Sequence, residues 1–138
     1  ANVSEVILRH PNIHYLTCIN SVGNALDINT ASNTVRIRPK HGLGGLGGDF
    51  ILPVALSNVF QFKTALPHID IIGCGGIRTG EDVYKHILAG ASMVQIGTTL
   101  NREGTGCITR ILDELKKEMY KHNYKMLDDF RGKLHELI

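Results

Sequence analysis

Apolar positions recur along the chain with two alternating periods, and their order predicts the order of elements. "VSEVILR" (3–9) has the spacing of an amphipathic helix that breaks before Pro11. "IHYLTCIN" (13–20), "IDIIG" (69–73) and "SMVQIG" (92–97) are short apolar runs of the buried-strand type. "SVGNALDI" opens a turn, and "LDI" and "TVRIRP" flank "NTASN" as the arms of a hairpin. "GLGGLGG" (42–48) predicts a glycine-rich loop. "PVALSNVFQFKTAL" (53–66) carries helical spacing and a proline suited to a first turn. Thr79 is placed to cap a helix over "GEDVYKHILAG", which Gly90 ends. "TTLNREGTGCITRILDELKKEMYKHN" predicts a short turn and then a long amphipathic helix, and "MLDDFRGKLHEL" (126–137) a last helix.

Strand followed by helix, repeated, implies parallel strands joined by helical crossovers, an α/β class. Continuous apolar strands of this kind predict cover on both faces. The hairpin is then an insertion, and Met93 is read as core. No repeat and no linker divides the chain, so residues 1–138 are expected to form part of one domain.

Composition narrows the class. The chain has 138 residues, of which 43% are hydrophobic, and its net charge is +2, so it suits one core and offers no basic surface for nucleic acid or an anionic membrane. Cys18, Cys74 and Cys107 are odd in number and lack a C-x-x-C, which argues against a disulfide framework or a zinc site and suits a reducing compartment. The seven histidines are scattered, and no metal is assigned. No apolar run approaches the roughly 18 residues of a membrane span, and no signal peptide is visible after Ala1. The chain starts without methionine, in mid-pattern, as a fragment or a processed product would. Asp113, Glu114 and Glu118, with nearby lysines, read as a solvated helix face.

The clustered glycines carry the candidate chemistry. "IIGCGG" (71–76) and "VQIGTT" (94–99) each end a strand and lead toward a helix. Helix-start N–H groups lack intrahelical partners and carry partial positive charge, and glycine removes the Cβ that would hold an anion away. Two such turns on adjacent parallel strands suit one phosphate, as in the last two loops of a (β/α)₈ barrel; geometry alone also asks for glycine in tight turns. A Rossmann site does not fit, because Arg78 stands where the third glycine belongs, and no P-loop occurs. Gly42–Gly48 reads either as a mobile loop or as backbone lying flat on a planar ligand. Asn20 and Ser21, at a strand end, offer a donor and acceptor set for a substrate or ordinary turn chemistry. Cys74 is within reach of a ligand, although packing accounts for it.

"INSVGNALDI", "IRPKHGLGGLGG", "PVALSNV", "IIGCGGIRTGEDVYKHILAGASMVQIGTTL" and "LDDFRGKL" together resemble the C-terminal part of the dihydroorotate dehydrogenase family, in its soluble, fumarate-using class 1A. The resemblance covers essentially the whole chain. It implies a (β/α)₈ TIM barrel holding FMN, incomplete in this chain. It implies that Gly75, Gly76, Gly97 and Thr98 bind the FMN phosphate, that Ile19, Gly47, Gly48 and Cys74 line the rest of the flavin, and that Asn20 and Ser21 bind dihydroorotate or orotate. In the family a base takes a proton from C5 while a hydride passes from C6 to the flavin, and fumarate, becoming succinate, reoxidises it. It further implies a cytoplasmic homodimer in pyrimidine biosynthesis.

Three departures qualify this. Ala25 stands where the family usually shows glycine, and Asp49 follows the glycine loop. The family barrel needs about 250 residues, and this chain supplies three strands, without the flavin-contacting lysines and the loop cysteine that serves as base. None of the three cysteines takes that place, so no catalytic residue is assigned here, and the missing N-terminal part of the barrel is the expected partner. Two other readings stand beside it: another FMN-barrel reductase of the dihydropyrimidine dehydrogenase kind, and a non-catalytic half-barrel that only binds phosphate.

Overall fold

A computed structural model describes residues 2–135 and 137 of the chain. Helix α1 (Val3–Leu8) starts at Asn2, whose side chain accepts from Ser4 N. Strand β1 (Tyr15–Cys18) follows, then β2 (Val22–Leu26), β3 (Ile28–Asn29), β4 (Thr34–Val35) and β5 (Leu43–Leu46). Helix α2 (Leu52–Ala65), β6 (Asp70–Cys74), α3 (Gly80–Leu88), β7 (Met93–Gln95), α4 (Thr98–Glu103) and α5 (Gly106–Lys121) complete the order.

The central sheet has the order β1-β6-β7 and is parallel throughout. Register aligns Thr17 with Ile72 and Ile72 with Met93. Period-two alternation then sends Ile71 and Cys18 to one face and Thr17, Ile72 and Met93 to the other. Ile71 is buried with Val59 of α2, Val83 and Ile87 of α3, and Ile111 and Leu115 of α5, so the helices share one side of the sheet. The opposite face is open: Tyr15 is 63% and Met93 58% exposed. The expectation of cover on both faces fails for this reason, and Met93 is not core. Apolar runs reveal that a strand is embedded; they do not reveal which chain segment supplies the second cover.

Residues 22–46 hold two antiparallel ladders, β2 with β5 and β3 with β4. The expected loop at 42–48 therefore contains a strand. Gly44 and Gly45 leave room there for Ile37 and Ser21, whose side chains occupy the places where their Cβ atoms would stand. The expected short turn after β7 is helix α4.

The expected helix over 126–137 is replaced by one 3₁₀ turn, Leu127–Asp129. Asp129 turns its carboxylate back to accept the N–H of Lys125 (2.6 Å) and Met126 (2.9 Å), and Gly132 takes φ +68°. Phe130 is fully buried in place of a helical stripe and stacks on Tyr84 (4.6 Å) and Tyr124 (5.2 Å). Glu136, within the expected span, lies outside the described residues.

Candidate functional site

One cleft of about 520 Å³ opens at the C-terminal end of the parallel strands, where loops of an α/β sheet gather their ligands. Its walls hold all ten residues singled out from the sequence: Ile19, Asn20, Ser21, Gly47, Gly48, Cys74, Gly75, Gly76, Gly97 and Thr98. The strand-to-strand register brings them together. Ile19 N donates to the Cys74 carbonyl at 2.6 Å, continuing the β1–β6 ladder to the cleft. Thr99, nearly fully buried, donates its hydroxyl to the Ile77 carbonyl at 2.6 Å and fastens the start of α4 to the turn after β6.

The N–H groups of Gly75, Gly76 and Gly97 donate to no protein acceptor among the described residues. At the other end, Asn20 Oδ1 accepts from Ser21 N (2.7 Å) and from Ser21 Oγ (3.3 Å). The Asn20 amide nitrogen donates to no protein acceptor among the described residues, and Asn20 lines the cleft.

The glycines divide into two kinds. Gly76 takes φ +76°, and a Cβ there would lie 2.6 Å from Leu52 N; at Gly75, φ +131°, it would lie 2.9 Å from the Ala55 Cβ. The start of α2 forbids side chains at these two positions, the geometric demand for glycine that stood beside the phosphate reading. A Cβ at Gly97 meets nothing within 4 Å. Gly97 also lines the cleft.

Behind the turn sits His86, fully buried, with Nε2 3.1 Å from the Gly75 carbonyl. A carbonyl only accepts, so Nε2 carries the proton, and Nδ1 is left without a partner. Burial pushes this imidazole below its ordinary value, outweighing the opposing pull of Gly75 and Asp82. Burial also raises the Cys18 and Cys74 thiols, so Cys74 faces the cleft as a neutral, weakly polar group and not as a thiolate.

Sequence reasoning missed Thr17, Asp49, Ile51, Ile77, Gln95 and Thr99, which also line the cleft. Thr17 and Gln95 were findable from strand alternation. Thr99 was not, because its role is a contact with a carbonyl far away in the chain. Glu114, expected on a solvated face, instead accepts from Gly80 N at 2.8 Å and bridges α5 to α3. Among the described residues no group of three or more His, Cys, Asp or Glu is arranged to hold a metal ion, and no helix is long and apolar enough to cross a membrane.

The comparisons with known proteins agree with one another. A family model described as dihydroorotate dehydrogenase matches residues 1–119. Dihydroorotate dehydrogenase (fumarate) of Trypanosoma cruzi is 50% identical over 131 residues, which are 95% of this chain and 42% of that protein. The enzyme of the same name from Lachancea kluyveri is 48% identical, with the same shares. A putative dihydroorotate dehydrogenase A (fumarate) of Streptococcus uberis is 54% identical over 89% of this chain and 39% of its own length. The chain thus spans about two fifths of the curated relatives it matches. The crystal structure of ligand-free DHODH from Eimeria tenella superimposes with a TM-score of 0.77 at 27% identity, covering 98% of this chain and 36% of that one. With the family match running over most of its length and relatives near half identity, this chain belongs to the dihydroorotate dehydrogenase family.

Proposed function

We propose that residues 1–138 are the C-terminal part of a single FMN-binding (β/α)₈ barrel that oxidises dihydroorotate to orotate and passes the electrons to fumarate. The observation that carries this reading is the meeting of three glycine-bearing loops, with three unengaged backbone N–H groups, in one cleft of about 520 Å³. That volume falls within the range of small-molecule sites. The residues fit a flavin mononucleotide: the Gly97 side is open to a bulky anion, and the remaining wall is apolar at Ile19, Ile51 and Ile77.

In this reading Gly75, Gly76, Gly97 and Thr98 hold the phosphate, through N–H groups and a hydroxyl. Ile19, Gly47, Gly48 and Cys74 line the flavin, with Cys74 a neutral thiol that adds no charge beside it. Asn20 and Ser21 hold the pyrimidine, Ser21 donating to the Asn20 carbonyl oxygen and leaving the amide N–H₂ available to the ligand. FMN, when bound, supplies the acceptor for the hydride. The proton-removing base belongs to the N-terminal part of the longer protein, which also covers the open sheet face. A cytoplasmic homodimer is part of the same proposal and rests on the resemblance of the sequence alone.

Gly97→Val is the discriminating variant, because nothing within 4 Å resists the new side chain and φ is −110°. It fills the cleft without disturbing the fold. Flavin retention in the intact protein is expected to fall about tenfold or more, with far-ultraviolet circular dichroism unchanged. A full visible flavin complement in Gly97→Val would remove the phosphate assignment. Oxidation of dihydrouracil but not of dihydroorotate would move the protein to the dihydropyrimidine dehydrogenase kind, and a colourless intact protein would leave the phosphate-binding half-barrel.

A further inference from the structure

Three cleft-forming segments meet at one carboxylate. Asp49 Oδ1 and Oδ2 accept from Arg102 Nη1 at 3.3 and 3.2 Å, and Arg78 Nη1 lies 3.6 Å from Oδ2. Asp49 directly follows Gly48, Arg78 follows the Gly75–Gly76 turn, and Arg102 stands in the last turn of α4, which begins at Thr98. The Asp49 side chain is 28% exposed and lines the cleft, while both arginine side chains are 57% exposed. A Cβ at Gly48 would lie 3.6 Å from Thr98 Cγ2 and 3.8 Å from Arg102 Nη2, so loop and helix touch beside the ion pair.

The cationic side of this junction is anchored. Arg110 donates to the Arg78 carbonyl at 3.1 Å and pairs with Glu103 (2.6 Å) and Glu114 (2.8 Å). Ahead of α2, the backbone hydrogen bonds of the 3₁₀ turn after Gly48 are local among the described residues, Ile51 N donating to the Gly48 carbonyl at 3.3 Å, and apolar packing of buried Ile51 against the Gly75 turn is its other attachment. The carboxylate is the ionic link from that loop to the two fixed turns.

We propose that Asp49 is a positioning residue that latches the β5–α2 loop, and with it Gly47 and Gly48, onto the turns bearing Arg78 and Arg102, and thereby slows release of the bound flavin. The flavin clause rests on the function proposed above; the latch itself does not. Bare charge balance gives the opposite result for Asp49→Asn. Removing the carboxylate frees two cations beside a phosphate site and would tighten binding. The latch requires looser binding.

The test uses the intact protein in an Arg78→Gln background, so that one cation faces one carboxylate. Asp49→Lys and Arg102→Glu are each expected to release flavin about fivefold faster than that background and to speed amide hydrogen exchange across residues 44–51. The double variant Asp49→Lys/Arg102→Glu restores opposite charges and is expected to return both readouts to within about twofold of the background. In 1 M salt, where the screening length is about 3 Å, the single-variant effects shrink. Tighter or unchanged flavin retention in Asp49→Asn together with unchanged exchange, or a double variant no better than its parents, overturns the latch. If the protein proves to carry no flavin, the functional reading falls and the exchange pattern alone decides the latch.

Discussion

At Gly75 the backbone carbonyl is held by His86, a side chain with no exposure and one free nitrogen. Protonating Nδ1 would place a charge in an apolar pocket against the back of the sheet, which is why burial dominates its lowered pKa. The consequence for stability has a definite sign. An unfolded histidine takes its proton near 6.5, and the folded one only at lower pH. The contribution is therefore fully present above that value and lost as pH falls through the window down to the folded pKa, at up to about 1.4 kcal/mol per pH unit. The melting temperature of the intact protein is expected to drop on acidification below 6.5, and His86→Gln to flatten that drop while lowering stability at neutral pH. An equally steep profile in His86→Gln would show that other groups set it.

At the scale of elements, the chain places its cleft loops by capping the helices that follow them. Asp82, 5% exposed, accepts the N–H groups of Arg78 and Thr79 at 3.0 and 3.1 Å and the Thr79 hydroxyl at 3.1 Å. This capping box fixes both the start of α3 and the exit of the Gly75–Gly76 turn. Asp82→Ala leaves three donors without that acceptor, and a loss of about 2 kcal/mol is expected in urea unfolding. A loss below about 0.5 kcal/mol would mean that water replaces the carboxylate. The Thr79 cap was legible because it is local; Asp82, which completes the box three residues on, was not read although it is equally local. The alternation of β6, α3 and β7 was legible too, its apolar runs being short and punctuated by glycine. Strand β5 was not legible, since glycine carries no hydrophobic pattern and its pairing with β2 is set by Ser21 and Ile37 filling the glycine gaps. The tail misled because Leu127, Phe130 and Leu134 mimic a helical stripe, whereas Asp129 closes a tight turn beneath a ring stack. The Asp49 ion pairs join residues remote in the chain, which no local pattern displays.

At the scale of the whole molecule, the three-stranded sheet is finished on one side only. Its helix-facing side is sealed by α2, α3 and α5, while Tyr15 and Met93 stand exposed on the other. Strands β1 and β7 are both sheet edges. Beside β7 a second cavity of about 290 Å³ is lined only by apolar side chains, Val94, Ile96, Leu100, Ile108 and Leu112 among them, and Ile108 and Leu112 are about half exposed. Parallel edges of this kind template further strands, and contiguous apolar surface costs about 25 cal/mol for each Å² left in water. A longer protein that continues the β/α order covers both edges and the groove from its own chain. A polypeptide limited to these 138 residues lacks that cover and is expected to self-associate at micromolar concentration and to bind a hydrophobic dye. Adding the N-terminal part of a relative such as the Trypanosoma cruzi enzyme as a separate chain is expected to abolish dye binding and to yield a defined complex. Light scattering that finds a stable, dye-silent monomer for the 138-residue chain would show that the open sheet face tolerates water, and the need for a completing segment would fall with it.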